Sequence, residues 1–290
     1  MATAAQWVAG ARPRTLPVAV APVAVGTGAA ANADGAVGWK ALLALVVALA
    51  LQVGVNYAND YSDGVRGTDD NRVGPMRLVG SRIAPPGQVK AAAFACFGAA
   101  GVAGLVLAAT SSWWLVLIGA AAIAAAWGYT GGRSPYGYRG LGEISVFVFF
   151  GLVAVLGTTY VQTGDLTAPA VVASFPVGML ACAVLVVNNL RDAPKDAPAG
   201  KRTLAVRLGD RATRQLFGAL VLGSFLFPLA LVPHHPWTLL ALLALPLAAP
   251  ALRPVLRGAS GRDLIPALAG TARAQFGFGL LLAFALAAGS

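Results

Sequence analysis

The stretch WKALLALVVALALQVGVNYANDYSDG, residues 39–64, decides what kind of molecule this is. From Ala41 to Val55 its only polar side chain is Gln52; Asn56, Asn59, Asp60 and Asp63 then follow in quick succession. A helix crosses the hydrocarbon core of a bilayer with about 17–25 apolar residues. The stretch therefore reads as a membrane span whose end leaves the lipid as a negatively charged tip.

The rest of the chain agrees. It has 290 residues, 58% hydrophobic and 11% charged, with a mean hydropathy of +0.72. Soluble domains carry about 25% charged residues, so there is too little polar surface here to coat a water-soluble globule. Apolar stretches recur at 16–32, 39–58, 90–110, 112–129, 141–162, 169–190, 212–233, 237–256 and 271–288. They predict an all-α integral membrane protein, one polytopic domain over residues 1–290, with about nine transmembrane helices. Pro17 and Pro22 interrupt the first stretch, and Arg273 lies at the mouth of the last. Arg12 and Arg14 precede a segment without a clear cleavage site, which reads as a first span rather than a leader.

A net charge of +10 raises the question of nucleic acid, and its distribution answers it. With nine alternating spans, every basic residue but Lys40 falls on one face of the membrane. By the positive-inside rule that face is cytoplasmic and holds the N-terminus, so the charge is a topology signal that needs no nucleic acid. Arginine far outnumbers lysine and alanine is abundant, a composition of GC-rich bacteria, so a bacterial cell membrane is expected. Cys96 and Cys182 lie within spans without metal-ligand spacing, and His234 and His235 sit in a short outer turn.

The acids are equally lopsided. Asp60, Asp63, Asp69 and Asp70 follow the second span, and Asp192 and Asp196 follow the sixth. NYAND (56–60) and NNLRD (188–192) each place an asparagine four residues before an aspartate at the end of an even-numbered span. The recurrence suggests a pseudo-repeat of four-helix units. On a continuing helix, Asn56, Asp60 and Asp63 share a face and Asn59 turns partly away. Pro194 disfavours helical geometry at Ala193, so the second acidic pair is expected on a helix end that unwinds.

Carboxylates at C-terminal helix ends stand against the helix dipole and repel one another. A hard divalent cation supplies the missing charge, since Mg²⁺ prefers carboxylate oxygens and bridges them to phosphates. Lys195, Lys201, Arg202 and Arg207 interleave the second acidic segment, while the loop 129–143 carries Tyr138 and Arg139. Such cations suit the free oxygens of a diphosphate. At the end of an apolar bundle that diphosphate implies a lipid tail. Allylic diphosphates ionise when metal and cations stabilise the departing pyrophosphate, in a cavity that keeps water away.

NDYSD (59–63) together with RDAPKDAPAGKRTLAVRLG (191–209) resembles the UbiA superfamily of intramembrane aromatic prenyltransferases, with two aspartate motifs after helices two and six. ARPRTLPVAVAPVAVGT (11–27), GPMRLVGS (74–81) and GYRGLGE (137–143) resemble its 1,4-dihydroxy-2-naphthoate polyprenyltransferase branch. The resemblance implies prenyl transfer from polyprenyl diphosphate to 1,4-dihydroxy-2-naphthoate in the membrane lipid, giving demethylmenaquinone with loss of pyrophosphate and CO₂. It also implies Mg²⁺ held by Asp60, Asp63, Asp192 and Asp196, assisted by Asn56 or Asn59 and by Asn188 or Asn189. In the superfamily's first motif the third acid would fall on Gly67, so Asp69 is its expected substitute. Lys201, Arg202, Arg139 and Tyr138 are expected on phosphate oxygens, and Arg14 or Arg139 on the naphthoate carboxylate. Two alternatives are a 4-hydroxybenzoate prenyltransferase and, from another class, a secondary transporter with repeated half-domains.

Overall fold

A computed structural model of the protein describes residues 2–67 and 76–289. Every regular element among them is a helix. A short α1 (Ala4–Gly10) precedes α2 (Pro17–Asn32), α3 (Gly38–Val65), α4 (Pro86–Ala109) and α5 (Leu115–Gly128). Then follow α6 (Gly142–Thr163), α7 (Ala168–Asp196), α8 (Leu204–Leu231), α9 (Pro236–Leu256) and α10 (Gly261–Ala288). Local signals set the ends. Pro86 and Pro17 stand in first turns, where a missing N–H is harmless, and the Thr167 hydroxyl caps α7 by accepting from the Ala170 N–H.

The nine apolar stretches each become helix, with two departures from the expected spans. Seven helices are long and apolar enough to cross a membrane, and an eighth is a broken pair, Ala4–Thr15 and Pro17–Asn32, bent by 52°. The ninth, α5, has only 14 residues. At about 1.5 Å per residue it spans roughly 21 Å, short of a hydrocarbon core of about 30 Å. Its expected first residues instead form the turn at Ser111–Trp114. Multi-pass membrane character follows from these helices and their exposed apolar faces, such as Leu117 and Trp113.

The expected unwinding at Pro194 does not occur, because α7 stays helical to Asp196. Proline lacks only its own N–H, and beyond it the Ala197 N–H still donates to the Ala193 carbonyl at 3.1 Å. Asn188, Asp192 and Asp196 therefore form an i, i+4, i+8 row on an intact helix.

The buried apolar residues form two main clusters. One joins α3, α4 and the turn 78–84 through Tyr57, Leu78, Val89 and Phe97. The larger joins α7 to α10 through Leu180, Phe217, Phe278 and Leu282. Helix α6 crosses α7 closely at a pair of glycines: a Cβ on Gly151 would meet the Gly178 Cα at 2.6 Å. There α6 widens into a π-helical stretch, Phe147–Val153, the kind of bulge that often lies at functional sites.

Candidate functional site

A cavity of about 570 Å³ is lined by α2 to α7. Its deep part is apolar, walled by small residues such as Gly104, Gly119 and Gly157 and by Phe149 and Phe150. Its charged end carries Asn59 and Asp63 from α3, and Asn188, Asp192, Lys195 and Asp196 from α7, with Lys201 just beyond.

On α3 the polar cavity-facing residues are Gln52, Asn56, Asn59 and Asp63, a stripe spaced by four, three and four. This reverses the expected orientation, since Asn59 faces the cavity and Asp60 is absent from its lining. The physical reason is the returning loop. Asp60 is 1% exposed, and its two carboxylate oxygens accept from the Leu78 N–H at 2.6 Å and the Val79 N–H at 3.0 Å. It clamps the turn 78–81 onto α3 and so places Arg77. The i, i+4 pairs that line the cavity are thus Asn59–Asp63 and Asn188–Asp192, while Asp60 of the 56–60 pair is outside its lining.

Asp63 is crowded by cations. Lys201 Nζ lies 3.0 Å from its Oδ1, Arg77 Nη2 lies 3.4 Å from Oδ2, and the Tyr138 hydroxyl donates to Oδ1. Lys201 also stands over the Tyr138 ring, 4.7 Å from its centre. The Arg202 N–H donates to the Tyr138 carbonyl at 2.9 Å and ties the two loops together. Across the cavity, Arg191 bonds both oxygens of Asp192, at 2.8 and 2.7 Å, and the Asn188 carbonyl oxygen at 2.8 Å. The Asn59 carbonyl oxygen accepts from the Thr130 hydroxyl at 2.7 Å. Asn189 donates to buried Glu143 at 2.9 Å, which turns its own carbonyl away from Glu143. The Tyr129 ring also lines the cavity.

Of the sequence-expected site residues, Asn56, Asn59, Asp63, Tyr138, Asn188, Asn189, Asp192, Asp196 and Lys201 line the one cavity. Arg14, Arg139 and Arg202 are exposed and outside it. Asp69 and Asp70 lie outside the described residues. Sequence reasoning left out Thr15 and Gln52 on the cavity wall and gave Arg12 no site role, while Arg77 is one of the first-loop arginines whose mixture with acids suits a diphosphate. Gln52 was the visible signal, a lone amide four residues before Asn56 in an otherwise apolar span. Arg12 adopts a left-handed backbone, φ 56°, which costs an L-residue about 1–2 kcal/mol.

The charged row on α3 facing that on α7 offers hard oxygen donors: two amides and three carboxylates. As placed, no three acidic, histidine or cysteine side chains among the described residues stand close enough to share an ion. The donor chemistry fits Mg²⁺, and protein cations stand on two of the carboxylates, Lys201 on Asp63 and Arg191 on Asp192.

Fold and site together define a multi-pass membrane protein built around a cavity for an amphiphile with an anionic head. The UbiA prenyltransferase family matches residues 19–264. A 1,4-dihydroxy-2-naphthoate octaprenyltransferase from Mycobacterium tuberculosis is 56% identical, covering 100% of this chain and 99% of its own. The protein of that name from Escherichia coli is 40% identical, covering 87% of this chain and 85% of its own. Among solved structures, a UbiA homolog from Archaeoglobus fulgidus bound to DMAPP and Mg²⁺ superposes with TM-score 0.65 at 15% identity, over 97% of this chain and 99% of that one. The chain belongs to the UbiA prenyltransferase family.

Proposed function

We propose that the protein transfers a polyprenyl group from polyprenyl diphosphate to 1,4-dihydroxy-2-naphthoate, giving the quinol form of demethylmenaquinone with release of pyrophosphate and CO₂. The observation that carries this reading is the cavity itself. One end presents carboxylates, amides and cations for a metal-bound diphosphate, and the other is an apolar chamber for the tail. The names of relatives at 40–56% identity, matched over at least 85% of both chains, supply the acceptor.

Asp63, Asp192 and Asp196, with Asn59 and Asn188, would hold Mg²⁺. Asp60 has the different task of fixing the Arg77 turn, because its oxygens are already bonded to backbone N–H groups. Bound Mg²⁺ supplies Lewis-acid neutralisation of the departing pyrophosphate. Lys201 and Arg77 stand on Asp63 and need only turn to the phosphate oxygens when Asp63 takes up metal. Below them the walls exclude water, so the allylic cation survives until the ring carbon of the acceptor attacks. The rings of Phe149, Phe150 and Tyr129 on the wall present π-faces that suit such a cation. The charged end faces the cytoplasm of a bacterial cell membrane, in keeping with the positive-inside distribution of its loops.

The test is a transfer assay with purified protein, labelled prenyl diphosphate and two acceptors. Naphthoate should be prenylated and 4-hydroxybenzoate should not, and chelation should abolish turnover that Mg²⁺ restores. Preference for the benzoate would move the protein to another acceptor class, and turnover indifferent to chelator would remove the metal.

A further inference from the structure

Two buried amides on the α3 wall end in oxygens that accept nothing from the described residues. Gln52 and Asn56 are 8% and 3% exposed and both line the cavity, one turn apart on α3. A chain of hydrogen bonds fixes which end of each amide meets a ligand. The Thr15 hydroxyl gives its single hydrogen to the Arg12 carbonyl at 2.9 Å, so toward its other neighbours it can only accept. Gln52 Nε2 and Asn56 Nδ2 donate to it at 3.3 and 3.2 Å. Asn56 Nδ2 also donates to the Ala11 carbonyl at 2.9 Å. Turning either amide over would set its oxygen against an acceptor. Gln52 Oε1 and Asn56 Oδ1 are therefore held off residues 11–15, and both stay accessible within the cavity without a donor among the described residues.

Depth separates these oxygens from the diphosphate site. At about 1.5 Å per residue, Asn56 lies roughly 10 Å below Asp63 along α3. Gln52, one turn deeper, reaches up to the same Thr15 hydroxyl. A diphosphate held by Asp63 does not extend that far. The prenyl tail has no hydrogen to donate, and sheathing two carbonyl oxygens in hydrocarbon is costly. The rest of the wall nearby is apolar, with Ala19, Pro22, Ala48 and Leu51. The ligand that must lie beside the reactive carbon of the donor, on the tail side of its phosphates, is the acceptor. Its ring hydroxyls carry the hydrogens that the two amides lack.

We infer that the Gln52 and Asn56 amide oxygens form the hydroxyl-recognition site for a phenolic acceptor, held in place by Thr15. As the ring carbon attacks the allylic cation, electron density leaves the hydroxyl oxygen. Its O–H becomes a stronger donor, and a fixed carbonyl oxygen stabilises the charge that develops there. The amides take no proton; they hold the hydroxyl so that the ring presents its carbon to the donor. This inference rests on the proposed acceptor class and names the atoms that recognise it.

The experiment measures transfer by full-length wild type, Q52M and N56L in membranes, with Mg²⁺ and saturating prenyl diphosphate. The acceptors are 1,4-dihydroxy-2-naphthoate and its two monomethyl ethers, which keep the ring electron-rich but each lack one hydroxyl hydrogen. In wild type, at least one ether should show a KM about tenfold above the parent's, the worth of one hydrogen bond with its partner left unpaired. Q52M and N56L should raise KM for the parent by a similar factor. In at least one of them the ether's penalty should shrink below about twofold, because no oxygen is left to miss the hydrogen. KM for prenyl diphosphate should change by less than about twofold. Wild type that takes both ethers as readily as the parent would overturn the inference. So would an ether penalty that survives in both variants, or an equal rise in KM for prenyl diphosphate, which would assign the amides to the donor. If neither variant accumulates, T15V decides: it frees both amides to turn, and the ether penalty should fall with it. If wild type turns over a different phenol, the proposed acceptor falls, and the same comparison with that phenol and its methyl ether tests the site.

Discussion

Asp63 answers two opposite demands. In the structure it neutralises Lys201 and Arg77, yet the proposed chemistry needs it for a metal. A buried carboxylate between two cations yields to an ion only when those cations gain another anion, and the diphosphate provides it. Mg²⁺ and diphosphate should therefore bind as a unit. Calorimetry should find Mg²⁺ affinity at least about tenfold higher with pyrophosphate present, a coupling of roughly 1.4 kcal/mol. Lys201→Met should strengthen binding of Mg²⁺ alone and weaken binding of pyrophosphate; weakening of both would refute the exchange. Asp60 makes a contrasting case. Asp60→Asn sets an amide donor against the backbone N–H groups of the turn 78–79. Leaving such groups without an acceptor costs about 1–3 kcal/mol, so a lower melting temperature and a raised KM for prenyl diphosphate are expected. Asp63→Asn should abolish transfer altogether, and because it strips the buried Lys201 and Arg77 of their carboxylate it should lower the melting temperature as well. The sequence could not tell these two aspartates apart. Asn56–Asp60 and Asn59–Asp63 are equally good i, i+4 pairs, and the turn that claims Asp60 folds back from Leu78 and Val79 in the following loop, beyond the reach of a helical pattern.

At the level of the helix, hydrophobic length alone located all nine segments, because lipid permits few ways to satisfy a backbone. Their extensions past the apolar stretch were less legible. Helices α3 and α7 run on to Val65 and Asp196, and these extra turns carry the site. Local preference argued against the second extension at Pro194, yet the helix runs through it and the Ala197 N–H still bonds the Ala193 carbonyl. Pro194→Ala should accordingly leave activity within about twofold, since the residue already sits in helix and alanine restores a backbone donor. The seam between α6 and α7 is less forgiving. Gly178 would place a new Cβ 3.1 Å from the Gly151 Cα, against backbone that has no rotamer to give. Gly178→Leu should part the helices beside Phe149 and Phe150, lowering the melting temperature in detergent by several degrees. Transfer should fall with it; unchanged melting would show that the seam tolerates bulk.

For the whole molecule, a single chain brings residues far apart in sequence, Asp63, Asp192 and Lys201, to one end of one cavity. What composition could not disclose is that one wall is shorter than the rest. Helix α5 reaches only about two thirds of the way across an ordinary hydrocarbon core. Lipids beside it must compress or tilt to keep their chains from stranding polar loops in oil, a mismatch that costs fractions of a kcal/mol per ångström. The enzyme should consequently deform its surroundings asymmetrically, thinning the leaflets on one flank. In reconstituted vesicles, transfer rate and thermal stability should therefore both fall as acyl chains lengthen.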